Sequence, residues 1–498
     1  MNSFMNNLKA DINYTFTENG GVAHRSTLNP VYDLFALGAS YRSRSDEDCI
    51  VLFMKAYDED PELALKCLFW MRDCRGGAGE RRFFRVVYHY LCENGDKNAW
   101  FNLKNISEYG RWDDLLYIAL GTEFQDAAFE ILKRQLSLDI QCKTPSLCAK
   151  WMPSENASSY QTKAAANAFR KYLGMTHKQY RKMLSILRKR INIVERLMSE
   201  NRWDEIEFDK IPSKAGLVYK NAFARRDIIK QKYEDFAKSK DTKVNAATLY
   251  PYEIVAKALG NLRYNKWVGT NTDRAMFNKY WENLPDYLNG KPMKIMCVVD
   301  TSGSMCYNTA NAPINIAISL GLYCAERIGG PFKNHYISFS SRPQMIETVG
   351  VDFCDKVQRI YRTNLCSNTN LTATFDLLLE TAKKSDPEDI PETIVVISDM
   401  EIDYMSTGHW TEKTAQTEME KIKAKWRAAG IKCPKLVYWN VEARHNVILD
   451  AGPDVSFVSG ASPTIFKQVL TGKTGWDLCL EAIDSPRYER IKLFNINF

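Results

Sequence analysis

The residues with the clearest chemistry follow an apolar segment in the second half of the chain. Residues 295–299 are continuously apolar, which predicts a strand buried on both faces. Asp300, Ser302 and Ser304 come directly after it in a D-x-S-x-S spacing. In open α/β sheets, ligand sites lie at the carboxyl ends of the strands. One carboxylate and two hydroxyls on such a turn are hard oxygen donors, which suit Mg²⁺ or Mn²⁺.

Two later segments extend this set of oxygen donors. Thr369 lies just before a predicted helix, and the apolar run 394–397 leads through a serine to Asp399. The D-x-S-x-S turn resembles the metal-ion-dependent adhesion site of von Willebrand factor A domains, which implies a threonine from a second loop and an aspartate after a later strand. Thr369 and Asp399 fit these two requirements, and water can complete the shell. The five residues Asp300, Ser302, Ser304, Thr369 and Asp399 are therefore the predicted metal ligands.

Composition indicates an ordinary globular protein. The 498 residues are too many for one core and predict two or three domains, and the hydrophobic and charged fractions are 45% and 26%. None of the 13 cysteines forms a C-x-x-C pair, which favours free thiols in a reducing compartment. The chain shows no signal-peptide pattern and no apolar run of about 18 residues. We expect a cytoplasmic protein with no membrane contact.

Charge divides the chain into two halves. Residues 291–498 carry 23 lysines and arginines against 24 acids, whereas residues 1–290 carry 44 against 36. The densest basic stretch is 163–232, with 18 cations and 7 acids. Such an excess indicates an anionic partner.

The sequence pattern divides the chain into four segments. We expect a loosely structured arm over 1–45, a HEAT-like α-solenoid over 46–289, a doubly wound α/β domain over 290–472, and a tail over 473–498 that packs back. Predicted helices lie at 97–108, 112–120, 124–137, 159–172, 177–199, 216–236, 251–260, 312–327, 372–383, 411–428 and 463–470. Predicted strands lie at 294–299, 335–339, 393–398, 435–440 and 455–458.

One predicted helix carries most of the basic stretch. Thr176 and Gln179 are spaced as a capping box, so that a helix should begin at His177. Its cations recur at helical spacing and predict one cationic face, a good site for phosphates at a helix N-terminus. The alternative is an ordinary solvated helix face. The candidate nucleic-acid-binding residues are Lys171, His177, Lys178, Arg181, Lys182, Arg188 and Lys189.

Several of these motifs resemble those of a known family. The order of a HEAT-like domain and a von Willebrand factor A domain resembles the TROVE module of Ro-type RNA-binding ring proteins. The run 176–178 with Arg181 is similar to the family's Ser/Thr-His-Lys helix start, and 249–254 to its His-Pro-Phe-His-Ile segment. The five metal candidates match its metal-ion-dependent adhesion site. The motifs at 75–81 and 110–114 resemble those of uncharacterised bacterial and phage relatives.

The resemblance implies a ring of helical repeats closed by the A domain. Such a ring would bind structured small noncoding or misfolded RNA on its outside and admit single-stranded ends, as a ribonucleoprotein. It also implies bound Mg²⁺ or Mn²⁺, a monomer, and an exoribonuclease or another protein as a further partner. Recognition would then depend on phosphate neutralisation and on access to single strands.

Other functions remain open alternatives. A metal-dependent adaptor would grip an acidic residue of a protein partner, and a phage or prophage accessory protein would depend on ring shape alone. Catalysis has little support, because the run 472–474 resembles the end of a P-loop but lacks the upstream glycine and a preceding strand. We therefore expect a binding protein and no enzyme.

Overall fold

The computed structural model describes residues 13–247, 249–263, 266–306, 312–363, 369–403, 417–450 and 452–495. Its first part is helical and its second part is built around a six-stranded sheet. The predicted fold class, a helical-repeat domain followed by a von Willebrand A-type domain, is confirmed.

The helical part consists of short helices joined by tight turns. Its sixteen described helices are α1 Pro30–Leu37, α2 Asp46–Glu59, α3 Pro61–Arg72, α4 Arg82–Glu93, α5 Lys97–Asn102, α6 Ile106–Tyr109, α7 Trp112–Ala119, α8 Gln125–Gln141, α9 Cys148–Trp151, α10 Tyr160–Tyr172, α11 His177–Ile191, α12 Val194–Ser199, α13 Ser213–Arg225, α14 Asp227–Lys238, α15 Pro251–Leu259 and α16 Asn271–Glu282. Short 3-10 turns cover Gly38–Ser40, Leu103–Asn105, Trp203–Glu205 and Phe208–Lys210. Two small antiparallel pairs join β1 Tyr14–Phe16 to β2 Val22–His24 and β3 Leu262–Arg263 to β4 Lys266–Trp267.

Local sequence signals set several helix starts. Asp60 caps α3 by accepting a hydrogen bond from the amide of Leu63, and Pro61 occupies the first turn. Thr176 and Gln179 form the expected capping box at the start of α11. The predicted helix 177–199 is two helices, because Asn192 adopts a left-handed conformation with φ of 53° and ends α11.

The second part is a mostly parallel sheet in the order β10-β9-β8-β5-β6-β7. Its strands are β5 Ile295–Asp300, β6 His335–Phe339, β7 Met345–Glu347, β8 Thr393–Ser398, β9 Lys435–Asn440 and β10 Val455–Ser459. Only the edge strand β7 is antiparallel to its neighbour. The described helices around it are α17 Pro313–Arg327, α18 Phe353–Thr363, α19 Leu371–Ala382, α20 Glu418–Ala428, α21 Phe466–Val469 and α22 Gly475–Ile483. The first residues of the predicted helix 411–428, 411–416, lie outside the described residues.

Both ends of the helical part pack on the α/β domain. At the start, α1 contacts β10, and the hydroxyl of Tyr32 accepts a hydrogen bond from the amide of Phe457 at 2.9 Å. At the end, α15 contacts α17, and α16 contacts α18. The helical part therefore begins and ends on the α/β domain.

The structure adds detail to the predicted N-terminal arm and to the predicted C-terminal tail. A loose arm is predicted over 1–45, of which 1–12 lie outside the described residues; 30–37 are helical, because Asn29 caps the helix and Pro30 begins it. The tail packs on the helical part: Asn102 Nδ2 donates to the carbonyl of Lys492 at 2.7 Å, and Asn98 accepts from the amide of Phe494. The tail therefore returns to α5, while α22 contacts α3 and β10.

The described cysteines agree with the prediction of free thiols. All twelve described cysteines are free thiols. None of the described helices combines the length and the hydropathy needed to cross a membrane.

Candidate metal centre and basic face

The turn after β5 gathers the first three oxygen donors. Asp300 ends the strand fully buried, and its Oδ1 accepts a hydrogen bond from the amide of Ser302 at 2.9 Å. The hydroxyls of Ser302 and Ser304 are 3.0 Å apart. The D-x-S-x-S spacing thus folds into one compact turn at the carboxyl edge of the sheet.

Strand β8 delivers the second carboxylate beside the first. It runs parallel to β5 with Ile397 opposite Val299, so Asp399 follows at the same edge as Asp300. Asp399 is 2% exposed. The next residue, Met400, has a φ of 67°, a left-handed conformation that non-glycine residues adopt at a cost. The turn at Asp399 is therefore tightly constrained.

The two carboxylates repel each other electrostatically. Burial, and then the charge of Asp399, raises the pKa of Asp300 to about 7. Burial also raises the pKa of Asp399, while the nearby guanidinium of Arg444 acts in the opposite direction. A divalent cation between them would relieve both effects.

Thr369 belongs to the same group of loops. It is buried, its hydroxyl donates to the carbonyl of Glu401 at 3.1 Å, and its own carbonyl accepts from the amide of Asp403. The structure thus brings all five predicted ligands to one sheet edge, with Thr369 joined to the loop that follows β8.

These residues fit a hard divalent cation in their chemistry. Two buried carboxylates provide the charge, and three hydroxyls provide neutral oxygen ligands. None of these five residues is a nitrogen or sulfur donor, which would have favoured zinc. Asp300, Ser302, Ser304, Thr369 and Asp399 would hold the ion, which would offer an open position to an oxygen ligand.

Sequence reasoning missed the residues that surround this site. Ser398 donates to Asp300 Oδ2, and Arg444 Nη2 donates to Asp399 Oδ2 at 3.2 Å. Glu401 is 1% exposed and accepts hydrogen bonds from the amide of Glu18 and from Nδ1 of His445. Ser398 could have been found, because it directly precedes Asp399; Arg444 and Glu18 carry no local signal.

The basic face lies on α10 and α11. Lys171, Lys178, Lys182 and Lys189 are exposed, and among the described residues no carboxylate lies within salt-bridge distance of them. Tyr180, Leu184 and Leu187 fill the opposite side of α11, as the helical spacing predicted for the two leucines. Lys178, Lys182 and Lys189 therefore form one outward stripe, called the lysine stripe below.

His177 and Arg181 are exposed but not free. His177 Nδ1 lies 2.6 Å from Glu155 Oε1, and Arg181 Nε lies 3.9 Å from the same carboxylate. Arg170 also contacts Glu155, whose side chain is only 7% exposed. A buried acid thus partly neutralises this end of the basic face.

Arg188 was predicted to lie on the cationic face, and this prediction is wrong. Its guanidinium points toward α9, donating to the carbonyls of Ala149 and Met152 and to the hydroxyl of Ser154 at 2.7–3.0 Å. Burial lowers the pKa of Arg188. This arginine satisfies the carboxyl end of α9, whose last carbonyls have no partner within the helix.

Comparison with known proteins places the chain in a family. A family described as Domain of unknown function (DUF2828) matches residues 17–136 and 126–291, which together exceed half of the chain. The chain belongs to the DUF2828 family. A second family, described as Domain of unknown function (DUF7788), matches residues 294–485.

Two further similarities accompany the DUF2828 match. The chain is 30% identical over 509 residues to Uncharacterized protein L728 of Acanthamoeba polyphaga mimivirus, covering 93% of this chain and 85% of that protein. The crystal structure of the Deinococcus radiodurans Ro (RSR) protein aligns with a TM-score of 0.47 at 14% identity, covering 92% of this chain and 100% of that one.

The P-loop-like run in this DUF2828 chain has no phosphate-binding geometry. Lys473 pairs with Glu481, and the segment preceding it is α21, a helix where a P-loop requires a strand.

Proposed function

We propose that this protein binds RNA through the basic face of α10 and α11. The observation that carries the proposal is the lysine stripe: three exposed ammonium groups on one side of a helix, with no acid partner among the described residues. Unpaired cations on a surface attract phosphates by releasing counterions, and they do so without reading sequence. Lys171 at the end of α10 and the first turn of α11 extend the same surface.

The proposed ligand is structured small noncoding RNA with a single-stranded end. Tyr160, which begins α10, is 84% exposed and can stack on an unpaired base. Ion pairs with Glu155 leave His177 and Arg181 a supporting role beside the lysines. We place the complex in the cytoplasm, supported by the free thiols of the described cysteines.

A binding titration across salt concentrations tests the proposal. The RNA is a structured molecule with a single-stranded 3′ end, and the variant is Lys178→Glu with Lys182→Glu and Lys189→Glu. We expect affinity to fall at least about tenfold, and the dependence of log K on log salt to become shallower by roughly 0.7 for each lost phosphate contact.

The control changes the same charge elsewhere. Lys333, Lys384 and Lys432 are exposed lysines of the α/β domain, and among described residues none has a salt-bridge partner. The triple Lys→Glu control should reduce affinity much less than the stripe variant. Equal losses in the two variants would mean non-specific attraction and would refute a site on α11.

We further propose that Asp300, Ser302, Ser304, Thr369 and Asp399 hold Mg²⁺ or Mn²⁺. The support is the pair of buried carboxylates, whose mutual repulsion a cation would offset. Calorimetric titration with each metal should detect one site, and Asp399→Asn should abolish it. Wild-type protein that releases no heat and gains no stability with either metal would refute this part.

A second candidate function is a metal-dependent protein adaptor. It is favoured by the position of the carboxylates at a sheet edge, where a bound cation could take an oxygen ligand from a partner. Asp399→Asn would then abolish partner binding while the lysine-stripe variant would not. Loss of RNA binding in the stripe variant with the metal site intact favours the RNA proposal instead.

A further inference from the structure

The turn between β1 and β2 lies against the loop that follows β8. The hydroxyl of Thr17 donates to the carbonyl of Ile402, and the amide of Glu18 donates to Glu401 Oε2, both at 2.6 Å. Asn19 Nδ2 donates to the carbonyl of Glu401 at 2.7 Å, and Gly20 forms an antiparallel bridge with Asp403. This N-terminal hairpin is thus fastened to the residues directly after Asp399.

Arg444 connects the hairpin to the candidate metal centre. Its Nη2 lies 3.2 Å from Asp399 Oδ2, and its Nη1 lies 2.5 Å from the carboxylate of Glu18. One guanidinium therefore bridges a proposed metal ligand and a hairpin residue that are 381 positions apart in sequence. Arg444 Nε is buried and has no hydrogen-bond partner among the described residues, and the side chain is held by these two acids.

We propose that Arg444 couples cation binding to the docking of the N-terminal hairpin, an inference that rests on the proposed metal site. Without a cation, Arg444 is the positive charge that balances Asp399. A divalent cation at Asp300 and Asp399 repels the guanidinium, which then gives up Asp399 and keeps Glu18. The stronger pairing with Glu18 holds the hairpin more firmly against the sheet edge.

The change of partner involves only the side chain of Arg444. Arg444 already contacts both carboxylates, so changing partners needs only a small side-chain movement. Its backbone is fixed separately, because its carbonyl accepts a hydrogen bond from Arg44 Nη1 at 2.5 Å. Glu401 does not compete for the guanidinium, since its two oxygens already accept from Glu18 and His445.

Glu18, Glu401 and His445 also place potential ligand atoms within 4.8 Å of one another. The hydrogen bonds from the Glu18 amide and from His445 occupy both oxygens of the Glu401 carboxylate, so these three residues hold the hairpin in place. Coupling is reciprocal: a cation that tightens the hairpin must bind more strongly when the hairpin is docked.

The test combines Mg²⁺ calorimetry with hydrogen exchange of the Thr17–Gly21 amides, using the full chain. In wild-type protein, saturating Mg²⁺ should slow exchange of the hairpin amides. Arg444→Gln removes a charge that repels the ion at close range, so Mg²⁺ affinity should rise about tenfold or more, since a unit charge a few ångströms away is worth kilocalories near a protein surface. Hairpin exchange should then no longer respond to Mg²⁺.

Glu18→Gln tests the same coupling from the exposed end and is well tolerated by folding, because the Glu18 side chain is 48% exposed. Arg444 then has no alternative partner and stays on Asp399, so Mg²⁺ affinity should fall severalfold. Arg427→Gln and Glu47→Gln are the matched controls, since both residues are exposed.

The outcomes separate the two proposals. Wild-type protein that binds no Mg²⁺ refutes the metal site and this inference together. Wild-type protein that binds Mg²⁺, with Arg444→Gln and Glu18→Gln both within twofold of their controls, refutes the coupling alone. Unchanged hairpin exchange on Mg²⁺ addition does the same.

Discussion

Ser398 donates its hydroxyl hydrogen to Asp300 Oδ2 over 2.5 Å, across the boundary between β8 and β5. The same oxygen of Ser398 accepts a hydrogen bond from the amide of Met400 at 3.0 Å. This hydroxyl therefore connects the turn that carries Asp300 to the turn that carries Asp399. Parallel pairing of the two strands thus sets the position of Asp300 and of Asp399 together. The cost is two negative charges buried side by side.

This burial predicts a pH dependence for the stability of the cation-free protein. Because the folded pKa of Asp300 is raised from 3.8 to about 7, the folded state binds more protons than the unfolded state between these values. Stability is therefore fully present below about pH 4 as far as this group is concerned, and it is lost as pH rises toward 7. The loss is at most about 4 kcal/mol, at about 1.4 kcal/mol per pKa unit.

Urea denaturation in EDTA between pH 4 and 8 measures the slope of the free energy of unfolding against pH. Asp300→Asn keeps the shape without the charge and should flatten the slope, while Asp389→Asn, at an exposed position, should leave it as in wild type. Added Mg²⁺ should also flatten the wild-type slope. A slope that Asp300→Asn leaves unchanged would show that other groups control it.

The sequence predicted the parallel strands because they are buried on both faces and read as apolar runs. It did not predict β7, which has three residues at a partly exposed sheet edge, and the helix α18 was also missed. The five metal candidates could be found because each follows a strand or precedes a helix. Arg444 could not, since its role depends on a contact with a hairpin far away in sequence.

The basic face shows what the sequence could not predict about the orientation of side chains on α11. Arg188 and Lys189 are neighbours of the same charge, yet one contacts α9 and the other faces solvent. Successive helix residues differ by about 100° in direction, and the rotation of α11 is set by the packing of Tyr180, Leu184 and Leu187. The spacing of the cations in the sequence predicted a helical period, but it did not determine which of the cations face solvent.

This difference predicts opposite consequences for two neighbouring substitutions. Arg188→Ala removes three hydrogen bonds to the segment 149–154 and should lower the free energy of unfolding by about 2–4 kcal/mol. Lys189→Ala should change it by less than about 0.5 kcal/mol but weaken RNA binding. Chemical denaturation and RNA titration of both variants check this. An Arg188→Ala protein of normal stability that loses RNA affinity would restore the original prediction.

Glu155 should restrain the basic face. Its buried carboxylate contacts Arg170, His177 and Arg181, so Glu155→Gln frees cationic groups beside the lysine stripe. We expect RNA affinity to rise about two- to fivefold, with a smaller gain at high salt because exposed charges are screened. Stability should fall by roughly 1–3 kcal/mol, since the mostly buried Arg170 loses its carboxylate partner and keeps its hydrogen bond to the carbonyl of Met175.

Salt-dependent RNA titration and thermal unfolding of Glu155→Gln separate these effects. Glu130→Gln is the control, because Glu130 also pairs with cations but on the exposed surface of α8. Reduced stability without any gain in RNA affinity would mean that the Glu155 cluster only supports the fold.

The contact between Gly79 and Tyr250 gives a test of how the helical part is joined. Gly79 has a φ of 71°, and a Cβ there would lie 1.7 Å from the hydroxyl oxygen of Tyr250, the residue directly before α15. Gly79→Ala should therefore cost about 2–4 kcal/mol, from backbone strain and from the clash together. Gly121→Ala isolates the strain, about 1 kcal/mol, because its φ is 82° and no atom of the described residues lies within 4 Å of an added Cβ.

Tyr250→Phe then separates the clash from the strain. The Tyr250 hydroxyl is buried and has no hydrogen-bond partner in the part of the chain that the structure describes, so its removal should be neutral or slightly stabilising. Combined with Gly79→Ala, it should recover part of the loss, leaving at least the cost seen at Gly121. Chemical denaturation of the four variants measures each step. Equal losses for Gly79→Ala and Gly121→Ala would mean that the loop at 75–81 does not press on α15, and that the two ends of the helical part are not locked together there.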